Sequence, residues 1–292
     1  MSQFEGKTLL VTGATGSFGQ AFIKHILSQE SLPEKLICFS RDELKQFYLR
    51  EEYPEHPEVI MRYFLGDIRD RERLLRAFNG VDIIIHAAAL KQVSTGLYNP
   101  LEMAKTNVMG TSNVIEAAID NNVDKIILLS TDKAVEPKNL YGMCKGVAEG
   151  LFLSANAYVG AGDSKFSVVR YGNIWGSRGG VIDLWAREAP RGLINLTVPY
   201  ATRFIIHLED AVNFVISSLT NMNGREIFIP QKLPSVSMEI VAKAFQEIYD
   251  CEIKEIPIRQ GDKIHETLEA GYTSDKARRL TKKEIKSLIN HK

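Results

Sequence analysis

Tyr141 and Lys145 stand four residues apart in the run Tyr141-Gly142-Met143-Cys144-Lys145. On a helix, side chains at that spacing share one face. The ammonium can then lower the phenol pKa and hold the ribose of a bound cofactor. A tyrosinate stabilised in this way can take a proton from a sugar hydroxyl while hydride leaves the carbon. Just upstream, Ser130-Thr131-Asp132-Lys133 closes an apolar run. Thr131 brings a hydroxyl, and Asp132 and Lys133 are an adjacent acid and base. By residue type alone, Asp132 equally suits a turn cap beside a surface lysine.

A second constellation lies at the N-terminus. Gly13-Ala14-Thr15-Gly16-Ser17-Phe18-Gly19 follows an apolar run and opens a helical pattern. Glycines at this spacing allow a tight turn and close backbone approach to a pyrophosphate, which the helix N-terminus then attracts. Gly13, Thr15, Gly16, Ser17, Phe18 and Gly19 are therefore candidate dinucleotide contacts. The next apolar run ends in Phe39-Ser40-Arg41-Asp42, with Lys45 one turn on. A guanidinium pairs well with a 2′-phosphate, so Ser40, Arg41 and Lys45 point to NADP rather than NAD. Asp42 argues the other way, since an acid there can bind ribose hydroxyls. Asp67 and Ile68 follow the third run, where adenine lies in such folds; Asp67 can accept from the adenine amino group or cap the helix beginning near Asp70. The small residues Ala87, Ala88 and Ala89 let a cofactor lie against the backbone or simply pack tightly.

These residues need a scaffold that brings the ends of several strands together. Apolar runs at Thr8–Thr12, Leu36–Phe39, Arg62–Leu65, Val81–His86, Lys125–Ser130 and Ser167–Tyr171 read as strands. Helical patterns alternate with them, as at Arg71–Phe78 and Thr106–Asn121. The fold class expected is α/β, a doubly wound parallel Rossmann sheet. Residues 1–173 read as the dinucleotide-binding domain and 174–292 as a small substrate-binding lobe, some of whose elements return to the first domain. Glu209–Leu219 and Met238–Tyr249 read as helices.

Composition narrows the partners. Lys+Arg and Asp+Glu are both 36, so no global field draws the chain to nucleic acid or an anionic membrane. Cys38, Cys144 and Cys251 are too scattered for a zinc site or a disulfide framework. No apolar run approaches the roughly 20 residues that span a bilayer, and the first residues lack a signal-peptide pattern. The expectation is a cytoplasmic enzyme without a metal. His86 and His265 read as structural histidines.

The chain resembles the extended short-chain dehydrogenase/reductases and, within them, the soluble UDP-N-acetylglucosamine 4,6-dehydratases of the inverting type. The likeness rests on FSRDELKQ from Phe39, HAAALKQV from His86, YNPLEMAKTNVMGTSNVIEAA from Tyr98, STDKA from Ser130, NLYGMCK from Asn139, RYGNIWGSRGGV from Arg170 and GDKIHE from Gly261. It implies oxidation at C4 of a UDP-sugar, loss of water across C5 and C6, and return of hydride to C6. It assigns Lys133 as base and Asp132 as acid for the middle step, roles that need a partly neutral lysine and a partly protonated aspartate. Tyr141 is the residue expected in the inverting type. Asn107, Tyr171 and Asn173 fall in matching stretches and join the candidate cofactor contacts. Lys91, Asn173, Arg178, Arg203, Lys232 and Arg259 are candidate substrate contacts, because a UDP diphosphate calls for cations. A homo-oligomer is also implied.

The likeness weakens in one segment. Where the family carries a stretch like TDPRMTRF, this chain has Thr197-Val198-Pro199-Tyr200-Ala201-Thr202-Arg203-Phe204, and Leu97 stands where a Glu is common. The competing activities are a nucleotide-sugar 4-ketoreductase or 4-epimerase, which has no need of Asp132 and Lys133, and an NADP-binding sensor without turnover.

Overall fold

A computed structural model describes residues 3–160, 162–258 and 260–290. The apolar runs form strands because they are buried along their whole length, as interior parallel strands must be. Strand β1 (Thr8–Thr12) and strand β4 (Ile83–His86) are buried at every position, and β2 (Lys35–Ser40) and β5 (Lys125–Thr131) at all but their first. Strand β3 (Ile60–Leu65), at the edge, is only partly covered. With β6 (Lys165–Tyr171) and the short strand Ile227–Phe228 they make a seven-stranded sheet, ordered Ile227–Phe228, β6, β5, β4, β1, β2, β3. The pairings of β1 with β2 and with β4 are parallel, with Thr12 level with both Phe39 and His86. Strand order reverses between β1 and β4, the point where doubly wound sheets open a crevice for a ligand.

The helices linking these strands are α1 (Ser17–Leu27), α2 (Glu43–Glu52), α3 (Arg71–Ala77), the short α4 (Val93–Tyr98) and α5 (Pro100–Ala104), and α6 (Gly110–Asp120). Between α5 and α6 the backbone widens into one π-helical turn, Lys105–Met109. Helix α7 (Leu140–Ala155) carries both Tyr141 and Lys145.

The chain divides into two compact units that are interleaved along the sequence. The first comprises Met1–Ser130, Cys144–Val169 and Val212–Phe228; the second comprises Thr131–Met143, Arg170–Ala211 and Ile229–Lys292. The first unit's core packs Leu10, Phe39, Phe78, Ile84, Val114, Phe152 and their neighbours. The second has its own core around Trp175, Trp185, Ile194, Ile205, Val241 and Phe245. It holds β7 (Asn173–Ile174), β8 (Leu193–Leu196), β9 (Thr202–Ile206), helix α8 (Val181–Glu188) and helix Met238–Tyr249. Among the described residues no helix is long and apolar enough to cross a membrane.

Candidate active site

In the first unit the glycine turn sits where strand order reverses. Gly13 has φ +70°, and a Cβ added there would lie 2.9 Å from the backbone N and Cα of Ala88. The strands' C-terminal ends thus meet backbone to backbone, and any larger residue at 13 fills the approach. Helix α1 begins at Ser17 with Gly16 as its N-cap, which offers no side chain to satisfy the first turn. Ser40 Oγ, at the end of β2, is buried without a hydrogen-bond partner. A backbone cradle, an uncapped helix start and an orphaned hydroxyl fit a dinucleotide.

Two acids near this turn are already engaged. Asp42 caps α2, its Oδ1 accepting from Lys45 N at 3.0 Å while Oδ2 pairs with Lys45 Nζ at 2.7 Å. Lys45 is therefore partnered by Asp42, and the exposed Arg41 lies 3.7 Å from Asp67 Oδ2. Asp67 accepts from the backbone and guanidinium of Arg69. The cap of α3 is Asp70, which accepts from Arg73 N, so the capping alternative for Asp67 falls away. Ile68 is buried and fills the space beside Gly110.

The loop after β4 is held by a chain of buried polar groups. Thr12 Oγ1 lies 2.7 Å from His86 Nδ1 and accepts from Ala88 N, and His86 Nε2 reaches Thr111 Oγ1 at 3.2 Å. Burial pushes the His86 imidazolium down to about 3, and the nearby Lys145 charge adds to the effect, so His86 is a neutral structural histidine. The π-turn projects Asn107 onto the same loop. Its amide accepts from Leu90 N at 2.8 Å and donates to Leu90 O at 2.7 Å. Asn107 holds Leu90, and with it Ala87–Ala89, from below. Lys145, almost wholly buried, donates to Leu129 O at 2.7 Å; burial lowers its pKa to about 8, against the pull of Glu149.

The second unit gathers the acid–base residues. Lys133 Nζ lies 3.0 Å from Asp132 Oδ1 and 2.9 Å from Asn173 Oδ1. Thr131 Oγ1 donates to Asp132 Oδ1, and the Thr131 hydroxyl also bonds the Tyr141 phenol. Asp132 is fully buried, and its Oδ2 has no hydrogen-bond partner. The turn can pack this way because Gly142 follows Tyr141: a Cβ at 142 would lie 2.2 Å from Lys133 O. Burial pushes the Tyr141 phenol up to about 12, while the Lys133 ammonium and the Thr131 hydroxyl pull it down. The charge that acts on Tyr141 here is that of Lys133, where the Tyr-Lys spacing pointed to Lys145. Lys133 itself also departs from the expectation of a partly neutral lysine. Burial opposes its charge, but Asp132 and Glu266 outweigh that and hold the ammonium well above its ordinary range, so desolvation does not leave it partly neutral.

Glu266 is a residue that sequence reasoning passed over. It is 3% exposed and its Oε1 lies 3.6 Å from Lys133 Nζ. Arg203 Nε is 3.9 Å from the same oxygen, and Lys263 Nζ is 3.6 Å from Oε2. Its only sequence signal was its place at the end of the GDKIHE stretch. Tyr171 is buried in this unit.

The chain from residue 9 to 287 matches the family model described as polysaccharide biosynthesis protein. This protein belongs to that family. Over 267 residues it is 46% identical to a Campylobacter jejuni protein named UDP-N-acetylglucosamine 4,6-dehydratase (inverting), covering 91% of this chain and 78% of the other. It is 40% identical over 270 residues, with the same coverage, to a Rickettsia massiliae protein named UDP-glucose 4-epimerase. Among solved structures it is similar to Pen from Bacillus thuringiensis, with TM-score 0.93, 33% identity, and coverage of 99% of this chain and 98% of that one. The extended short-chain dehydrogenase/reductase fold expected from the motifs is thus the fold of the molecule.

In this member of the polysaccharide biosynthesis family, the segment 197–204 is largely covered. Val198 and Ala201 are buried in the second unit's core, and Tyr200 alone is exposed. The apolar replacements are packing residues. Arg203 donates to the carbonyls of Thr202, Lys263 and Ile264, so most of its guanidinium is spent inside the unit. Lys91, Arg178 and Lys232 are exposed, and Lys232 sits in a turn with φ +59°. Leu97 is exposed as well. Arg259 lies outside the described residues. His265 is exposed, with Nδ1 2.9 Å from Thr202 Oγ1.

Proposed function

We propose that this protein is a 4,6-dehydratase of a UDP-N-acetylhexosamine, UDP-N-acetylglucosamine in the first instance, with NADP as its dinucleotide. The observation that carries the reading is the pairing of buried Asp132 with half-buried Lys133 beside Tyr141, an acid and a base that a reductase or epimerase does not require. Gly13, Thr15, Gly16, Ser17, Phe18 and Gly19 would hold the pyrophosphate, Ser40, Arg41 and Lys45 the 2′-phosphate end, and Asp67 and Ile68 the adenine. Asp42 is engaged as a helix cap, which favours the 2′-phosphate over ribose hydroxyls as the group recognised there. The dinucleotide supplies, when bound, a place for hydride to be parked and recovered.

The chain's own residues move protons. Tyr141, as the phenolate that the Thr131 hydroxyl and the Lys133 ammonium favour, takes the proton of the sugar's 4-hydroxyl as that carbon is oxidised. The resulting ketone acidifies H5. Lys133, in its neutral amine form, removes H5, and Asp132, in its carboxylic acid form, protonates the departing 6-hydroxyl. Asn173 and Asp132 orient the Lys133 ammonium. Reprotonation of C5 from the face opposite Lys133 gives the inverted L-arabino product, and this is the stereochemistry we propose. Proton couplings of the earliest product in D₂O test it; a D-xylo product at first sampling contradicts inversion and leaves dehydration standing. The activity itself is tested by incubation with UDP-N-acetylglucosamine and NMR of the product. Net consumption of NADPH would mark a 4-ketoreductase instead.

A further inference from the structure

The cluster around Glu266 leaves one feature of the Lys133 site unexplained. Lys133 must be neutral to accept H5, yet two carboxylates face it. All three cations around Glu266 are anchored elsewhere as well. Lys133 meets Asp132 Oδ1 at 3.0 Å and Asn173 Oδ1 at 2.9 Å. The Lys263 ammonium donates to Val135 O, and Arg203 donates to three carbonyls. All three meet Glu266 only at 3.6–3.9 Å. Glu266 itself is fixed through its backbone: its N–H donates to Ser274 Oγ, which is bonded in turn to Thr202. Its Oε2 is buried without a hydrogen-bond partner. A buried carboxylate serving only as a counterion would spend both oxygens in short charged hydrogen bonds. This one is held in place by the main chain, makes no short hydrogen bond to any of the three cations, and has Oε1 at 3.6 Å from Lys133 Nζ and an Oε2 without a hydrogen bond that can carry a proton. Burial, the largest influence on it, raises its carboxyl above the usual range, although Lys133, Arg203 and Lys263 all act to lower it and Asp132 adds to the rise.

We propose that Glu266 is the proton partner of Lys133, a positioning residue that acts through the lysine and not on the sugar. The inference rests on the dehydratase reading above. The Lys133 ammonium gives a proton to the Glu266 carboxylate, which leaves a neutral amine and a neutral carboxyl. The amine takes H5 and becomes an ammonium again as the C5–H electron pair moves into the conjugated system. The ammonium passes one proton to Asp132, at 3.0 Å, and recovers another from Glu266. Asp132 then protonates the 6-hydroxyl, the C6–O bond breaks, and water leaves. Lys133, Asp132 and Glu266 end as they began, and the proton lost from C5 is balanced by the one carried off in water.

The test compares wild type, Glu266→Gln and Glu266→Asp, each loaded with NADP, on UDP-N-acetylglucosamine across pH. Glu266→Gln should lose about 100-fold or more in kcat at neutral pH with KM unchanged. Its activity should recover at alkaline pH, where solvent takes the Lys133 proton, and reduction of the bound cofactor on mixing should persist. Glu266→Asp should keep the wild-type shape of the pH profile at a lower rate. A Glu266→Gln enzyme as fast as or faster than wild type at neutral pH would make Glu266 a mere counterion and overturn the proposal. Slow turnover at every pH in Glu266→Gln would assign Glu266 to the fold and overturn it equally. If Glu266→Gln does not fold, the Glu266→Asp profile decides, and displacement of that profile to alkaline pH contradicts the proposal. Should wild type fail to dehydrate this sugar, the activity reading falls alone. Glu266 is then judged by carbon NMR of its own carboxyl: a carboxyl partly protonated at neutral pH supports a proton shared with Lys133, and one fully ionised there makes it a counterion and overturns the proposal.

Discussion

Replacing Gly13 by Ala isolates what the phosphate turn demands of its first residue. Gly13 has φ +70°, and an added Cβ would stand 2.9 Å from Ala88 N and Cα and 3.0 Å from Ala87 C. Gly80 is its natural control, with φ +71° and nothing within 4 Å of an added Cβ. Both substitutions force an L-residue into the left-handed region, at about 1–2 kcal/mol, and both recover about 0.4–1 kcal/mol from a less flexible unfolded chain. Gly80→Ala should therefore cost about 1 kcal/mol. Gly13→Ala must also displace backbone on a neighbouring strand end, which cannot swing aside as a side chain can, and overpacking of this kind adds about 1–3 kcal/mol. Urea denaturation of both variants reads the difference, provided the m-value is unchanged. Calorimetry should show dinucleotide binding lost in Gly13→Ala and intact in Gly80→Ala. Equal stability of the two variants, with binding retained in Gly13→Ala, would refute the close-approach argument.

Three further outcomes are expected. Arg41→Ala should weaken NADP more than NAD, by about 1.5–3 kcal/mol for a lost charge-assisted contact, and equal weakening of both by calorimetry removes the 2′-phosphate assignment. His86 has its pKa lowered from 6.5 to about 3, so the unfolded chain binds the extra proton first: stability is full above pH 6.5 and falls as pH drops toward 3, by at most about 5 kcal/mol. His86→Gln should flatten that acid limb in urea denaturation between pH 4 and 7, taken as about the range accessible before general acid unfolding; an unchanged limb means His86 is not its source. Lys133→Ala and Asp132→Asn should each abolish release of water while the protein stays folded and reduces its bound cofactor on mixing with substrate; near-normal dehydration by either variant overturns its role.

Local signals in the sequence are strong where one segment carries its own explanation. The run Thr8–Thr12 is a strand with those same bounds, and helix Met238–Tyr249 likewise, because burial and periodicity act within the segment. The glycine turn and the residues Thr131, Asp132, Lys133, Tyr141 and Lys145 could be picked out as candidates because each motif is short. What was hidden depends on partners far away in the chain. Glu266 is one acid among many until folding buries it against Lys133, Arg203 and Lys263. Asn107 could be singled out, but its grip on Leu90 depends on a π-turn that helix periodicity does not signal. Tyr141 and Lys145 were expected to act on each other, yet burial and Lys133 dominate the phenol and burial dominates the lysine. The replacements at Val198 and Ala201 weakened the likeness to the family, and the structure places both in a core.

Dehydration is the central claim, and the product formed from UDP-N-acetylglucosamine by the NADP-loaded protein in D₂O tests it most directly. Time-resolved proton NMR should show a 4-keto-6-deoxy sugar, with a C6 methyl signal, deuterium at C5 and no lasting build-up of reduced cofactor. A product that keeps its 6-hydroxyl and differs from substrate only at C4 would contradict the account and make the protein an epimerase.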